Sequence, residues 1–290
     1  MTRRNNADRV GAPHPDAPTP EPVIATEQQI DPLSFVVPTE FVVLPSRGLY
    51  YPTDHPLYNQ EAIEIKYMTA KEEDLLSSRS LIEKGLVLDR LIENLLVNRR
   101  IRSRDLLIAD RNAILVAARS SGYGSDYKTK VTCRECTHVD TYDYNLQEAL
   151  MSQPLADEEL KEIGVEYLGG NTFKVNIPNS PVDVEFRLLN GHDERAIMDL
   201  STKRKKKKLS DKLVTDQLNF MIVSVMGHTE PEMITKYVDS LPLRDSKFLR
   251  KTYEKVSPSI ALRKEFVCNE CDYEDDIDFP FTVDFFWPDA

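Results

Sequence analysis

Cys133-Arg134-Glu135-Cys136 and Cys268-Asn269-Glu270-Cys271 hold all four cysteines of this 290-residue chain. A Cys-x-x-Cys pair turns both sulfurs to one side of a tight knuckle. Two knuckles close a tetrahedral four-thiolate cage, with zinc–sulfur bonds near ~2.3 Å. Such a cage leaves no position open for water or substrate, so the pattern reads as a structural zinc on Cys133, Cys136, Cys268 and Cys271. The alternatives are a disulfide framework or a redox dithiol. Disulfides belong to oxidising compartments, and Met1-Thr-Arg-Arg-Asn-Asn6 has no apolar stretch behind its arginines to serve as a secretory signal. A redox pair opens a helix after a strand, whereas Thr137-His138-Val139 and Asp272-Tyr273-Glu274 do not read as helix starts.

The flanks of the knuckles also match. Val131, Cys133, Cys136, Asp140, Tyr142 and Tyr144 align with Phe266, Cys268, Cys271, Asp275, Ile277 and Phe279, each 135 residues on (268 − 133). Each set predicts strand, knuckle, strand, the arrangement of a zinc ribbon. The correspondence continues upstream. Ile63, Ile65 and Tyr67 alternate with Glu64 and Lys66 as in a half-buried strand, and Val182, Val184 and Phe186 repeat the pattern. Thr69-Ala-Lys-Glu72 is a capping box opening a helix to about Ser78. A second helix, Leu86 to about Val97, lines Leu88, Leu91, Ile92, Leu95 and Leu96 along one face. A third begins near Asp110 and stops at Ser121-Gly122-Tyr123-Gly124. In the second half, Asp193-Glu194 marks an acidic helix start. Leu213-Val214-x-Asp216-x-Leu218 echoes Leu86-Val87-x-Asp89-x-Leu91, and Asp245 follows Asp110 at the same spacing as the cysteines.

These repeats predict an α+β chain of mainly helical lobes, built by internal duplication and joined by a Cys₄ zinc-ribbon-like β element. One unit supplies only two thiols, so the two units must bring their knuckles together within one chain or across a dimer. Closure within the chain has the higher local concentration. The expected organisation is a disordered Pro-rich tail (1–38), a first repeat (39–147), a connecting helix and hairpin (148–181), a second repeat (182–282) and an aromatic C-terminal tail (283–290). The connecting helix spans Leu155 to Ile163, and the hairpin turns at Gly169-Gly170-Asn171. Phe285, Phe286 and Trp287 fit either a docking tail or packing onto the chain's own core.

Composition narrows the function classes. A net charge of −11 disfavours a dedicated nucleic-acid binder. No apolar run approaches the ~20 residues of a membrane span. Phosphate-loop, dinucleotide-fold, nucleophile-elbow and zinc-protease motifs are all missing, so no catalytic or cofactor-binding residue is nominated. Lys203-Arg204-Lys205-Lys206-Lys207-Lys208 is the one basic block; it reads as a solvated loop or helix end, with phosphate or an acidic partner surface as the alternative. His138 lies two residues beyond Cys136, but its counterpart is Tyr273, so a symmetric metal site does not need it.

Leu44-Pro-Ser-Arg-Gly-Leu-Tyr-Tyr-Pro52, Tyr67-Met-Thr-Ala-Lys-Glu-Glu-Asp-Leu-Leu76, Asp105-Leu-Leu-Ile-Ala-Asp-Arg-Asn-Ala-Ile114 and the first knuckle together resemble the baseplate hub protein family of T-even-type contractile-tailed bacteriophages. The resemblance covers roughly residues 40 to 145 and, more weakly, the second half. It implies a non-enzymatic part used in building the hub or inner baseplate, with other phage tail and baseplate proteins as partners. It places the chain in the host cytoplasm during assembly and leaves open whether it stays in the virion tail baseplate. The Pro-rich N-terminus and the basic block are not part of the resemblance. The alternative is a zinc-ribbon nucleic-acid-binding or transcription accessory protein that uses Lys203 to Lys208 as its contact.

Overall fold

In the computed structural model, which describes residues 37–278 together with Phe281, Phe285 and Phe286, the first element is strand β1 (Thr39–Val43). It runs antiparallel to β2 (Ala62–Lys66), pairing Val42 with Ile63. The period-two alternation turns Val42, Ile63 and Ile65 into the core. Apart from Val37 and Pro38, the expected Pro-rich tail lies outside the described residues. The turn between the strands explains the Leu-Pro-Ser-x-Gly pattern. Gly48 has φ +71°, and a Cβ there would run into the carbonyl of Leu57 and the backbone of Gln60.

The capping box forms as expected and opens α1 (Ala70–Leu76): the Thr69 N–H donates to Glu72 Oε2 at 3.0 Å. Two serines then break the expected longer helix, and α2 (Arg79–Glu83) follows. α3 (Val87–Leu95) buries Val87, Leu91, Ile92 and Leu95, and the next residue, Leu96, bridges back to Ile65. α4 (Ile108–Tyr123) is buried on most sides and ends at Gly124, φ +88°. Asp110 holds α4 to the turn. Its buried carboxylate accepts from the Ser46 N–H (3.0 Å), the Ser46 hydroxyl (2.6 Å) and the Tyr51 hydroxyl (2.7 Å). Tyr51 in turn accepts from the Leu107 N–H at 3.0 Å, so every member of this buried network is satisfied.

A hairpin of β3 (Asp126–Thr132) and β4 (Val139–Asn145) follows, then the short strand β5 (Leu150–Ser152) and the acidic helix α5 (Asp157–Glu162). β6 (Val165–Gly169), β7 (Thr172–Asn176) and β8 (Asp183–Phe186) lead into α6 (Gly191–Lys206) and α7 (Leu213–Met221). β9 (Ile222–Val225), α8 (Pro231–Ser240), α9 (Leu243–Val256), β10 (Ser259–Ala261) and the hairpin β11 (Arg263–Val267) and β12 (Glu274–Asp278) complete the described elements. β6, β7, β8 and β9 form one antiparallel sheet in that order, and β10 pairs with β5 beside the hairpins. Tyr50 from the first turn packs edge-on against Phe173 of β7 at 5.4 Å, so both halves share one core. The architecture is α+β. No described helix is long and apolar enough to cross a membrane.

Several local solutions occur twice. Asn190 and Asp193 cap α6 reciprocally, as Thr69 and Glu72 cap α1. Phe186 pairs with Ile222 where Ile65 bridges to Leu96. Asp245 near the start of α9 accepts from Asn179 Nδ2 and the Ser180 hydroxyl, each at 2.7 Å, as Asp110 accepts from Ser46. The basic block is a helix end: Lys203 to Lys206 form the last turn of α6, where positive charge meets the partial negative charge of unpaired carbonyls. Phe285 and Phe286 are buried, and Phe285 packs on Tyr127 at 5.1 Å; Trp287 lies outside the described residues.

Replacing Asp110 by Ala strands three donors and should cost roughly 3–5 kcal/mol in chemical denaturation. The two buried aspartates should also differ in pH dependence. Burial raises the Asp110 carboxyl above its ordinary 3.8 despite its three donors. Burial also pushes Asp245 up, but its hydrogen bonds outweigh that and leave it below 3.8. A raised native pKa contributes stability that is present at low pH and lost as pH rises through it; a lowered one does the reverse. The deficit of Asp110→Asn relative to the parent chain should therefore grow as pH falls from about 7 to about 4, and that of Asp245→Asn should shrink below about 4.

Candidate metal centre

Each knuckle is built by the same backbone bonds. The Cys133 N–H donates to the His138 carbonyl (2.8 Å), and the Thr137 N–H donates back to the Cys133 carbonyl (3.1 Å). In the second hairpin, Cys268 donates to Tyr273 (2.9 Å) and Asp272 to Cys268 (3.0 Å). Thr137 and Asp272 both take left-handed backbone, φ +62° and +53°, which lets so short a turn reverse. His138 thus serves the knuckle through its main chain.

The two knuckles meet within one chain. All four Sγ atoms lie within 4.8 Å of one another. Cys133 Sγ is 3.7 Å from Cys271 Sγ, and Cys136 Sγ is 3.5 Å from Cys268 Sγ. A tetrahedron with metal–sulfur bonds of ~2.3 Å has edges of ~3.8 Å, so these spacings fit a metal cage. The thiols are free, with Cys133 and Cys268 buried and Cys136 and Cys271 exposed. Among the described residues, they form the one His, Cys, Asp or Glu group close enough to hold an ion.

Contacts around the sulfurs cross from one hairpin to the other. Arg134 pairs with Asp275 at 2.9 Å, and in the reverse sense Asn269 donates to Asp140. Arg134 and Asn269 hold one aligned position, Asp140 and Asp275 another, so the crossing is reciprocal. The Tyr142 hydroxyl donates to the Val267 carbonyl at 2.7 Å, and its ring lies 5.1 Å from that of Phe266. The knuckles and their matched flanks were legible in the sequence; these crossing pairs were not singled out, although the aligned spacing holds them.

Electrostatics point the same way. Backbone N–H groups of its own knuckle draw the Cys133 thiol down to about 7. The Tyr273 N–H also favours the Cys271 thiolate, but burial and the three neighbouring sulfurs overcome it and hold that thiol up to about 12. Four thiolates this close repel one another, and a divalent cation removes the repulsion.

The molecule is thus an α+β protein in which a cluster of four metal-capable side chains joins two hairpins distant in sequence. Its family is evident from comparison with known proteins: the family model described as T4 bacteriophage base plate protein matches residues 49–287, and the chain belongs to that family. No curated protein and no solved structure matches it.

In the metal-free chain, thiolate absorbance should develop in separate steps, the first near pH 7 and the last near pH 12. Saturation with zinc should collapse the titration into an early one complete below neutral pH, because coordinated thiols are deprotonated by the metal.

Proposed function

We propose that this chain is a non-enzymatic component of the contractile-tail baseplate hub, used in its structure or its assembly, and that it docks neighbouring tail proteins. The observation that carries the reading is the family match across residues 49–287. The cysteine cluster supports a structural zinc on Cys133, Cys136, Cys268 and Cys271: four soft ligands at tetrahedral spacing, with no room for substrate.

The proposal includes an internal duplication. The reciprocal Arg134–Asp275 and Asn269–Asp140 contacts support it, as do the paired caps and the paired buried aspartates. The units are 39–147 and 182–282, with a connecting helix and hairpin (148–181) between them. The two hairpins are then halves of one zinc ribbon, residues 1–38 are a Pro-rich tail, and 283–290 are an aromatic C-terminal tail whose Phe285 packs on Tyr127.

Structural zinc in small peptides contributes roughly 10–16 kcal/mol near pH 7. Native mass spectrometry should find one zinc per chain in a monomer. Cys268→Ser should release the metal and lower the melting temperature by more than ~10 °C. The functional reading is tested in phage. Disrupting the gene should block baseplate completion, with the intact gene restoring it in trans. Normal tails from the disrupted phage would overturn the hub assignment and leave the zinc site standing.

A further inference from the structure

The basic block is not used by the metal centre, and its surroundings are more than a solvated helix end. A groove of about 620 Å³ runs between α2 and α6. Its floor includes Ile82 and Met198, 41% and 45% exposed. Lys84, Lys203 and Lys206 stand around it. The other charges there are already committed. Arg195 donates to the carbonyls of Lys84 and Gly85, at 2.7 and 3.1 Å, and pairs with Asp199 at 2.9 Å. Glu83 is engaged by Arg79 at 3.0 Å. None of the three lysines has an ion-pair partner among the described residues, and the exposed Lys207, Lys208 and Leu209 follow Lys206 in the chain.

A positive rim of this kind on a chain of net charge −11 is a local reversal of sign. Lysines that served only to complement the α6 carbonyls would need no apolar floor. A nucleic-acid backbone would use the lysines, but it would face the acidic remainder of the chain and leave the floor unused. We propose that this groove docks an acidic segment with apolar anchors from a neighbouring protein. Its carboxylates meet Lys84, Lys203 and Lys206, and its anchors cover Ile82 and the adaptable side chain of Met198. This rests on the reading of the chain as a protein that docks neighbours, and it assigns the place.

The test uses the full zinc-loaded chain and a fluorescein-labelled peptide of alternating Glu and Leu at helical spacing, read by anisotropy in about 100 mM salt. Binding is expected, with at least a tenfold loss for Lys203→Glu/Lys206→Glu and separately for Met198→Glu; the lysine variant also loses favourable charge at the end of α6 and should melt only a few degrees lower. The lysines and Met198 are exposed, so these variants should fold. Equal binding of a peptide with its leucines replaced by serine would overturn the proposal as mere charge attraction. So would tighter, lysine-dependent binding of a single-stranded oligonucleotide, or lysine-dependent self-association in sedimentation. In the disrupted phage, full rescue by the charge-reversed gene would sink the groove alone. Failure of the intact gene to matter would sink the hub reading instead, leaving the peptide result to judge the groove.

Discussion

Four sulfurs that cannot all ionise side by side are the constraint on which this molecule turns. Neither hairpin can satisfy its own pair: two thiols on one knuckle make half a cage, and the other half comes from 135 residues further along. Bringing them together fixes the relative placement of the hairpins. Arg134 and Asn269 then find their acidic partners across the junction rather than within their own hairpin. These outer contacts are exposed and contribute little by themselves. Their role is to set the orientation in which the sulfurs face inward.

A second set of buried polar contacts fixes the starts of two long helices. Asp110 and Asp245 each sit near the start of a long helix and each grip a turn leaving the sheet. A buried carboxylate is costly unless each lone pair is used, and here the donors come from serine, tyrosine, asparagine and backbone. The helices are thereby anchored at their starts to the strands and at their ends to the hairpins. Tyr50 against Phe173 then welds the first turn to the larger sheet.

Much of this was legible in the sequence, for identifiable reasons. Cys-x-x-Cys spacing, the Thr69–Glu72 capping box and the Gly169-Gly170 hairpin turn are local signals, each decided by a few adjacent residues. β9 and α8 went unforeseen. Ile222 to Val225 continues from α7 without a turn residue between them, and its strand character comes from pairing with β8. The spacing marks Asp245 as a counterpart of Asp110, but its partners Asn179 and Ser180 come from a distant turn that periodicity does not reveal. The destiny of Phe285 and Phe286 was likewise undecidable locally, because Tyr127, which Phe285 packs against, lies in the first hairpin.

The short joints between helix and hairpin have a mechanical consequence. α4 passes into β3 through Gly124 and Ser125, and α9 reaches β11 by way of the small β10–β5 pairing. The sulfur end is therefore a handle on two stems, braced between them. A tug on its tip divides between both long helices and arrives at two separate aspartate anchors, so neither half bears the load alone.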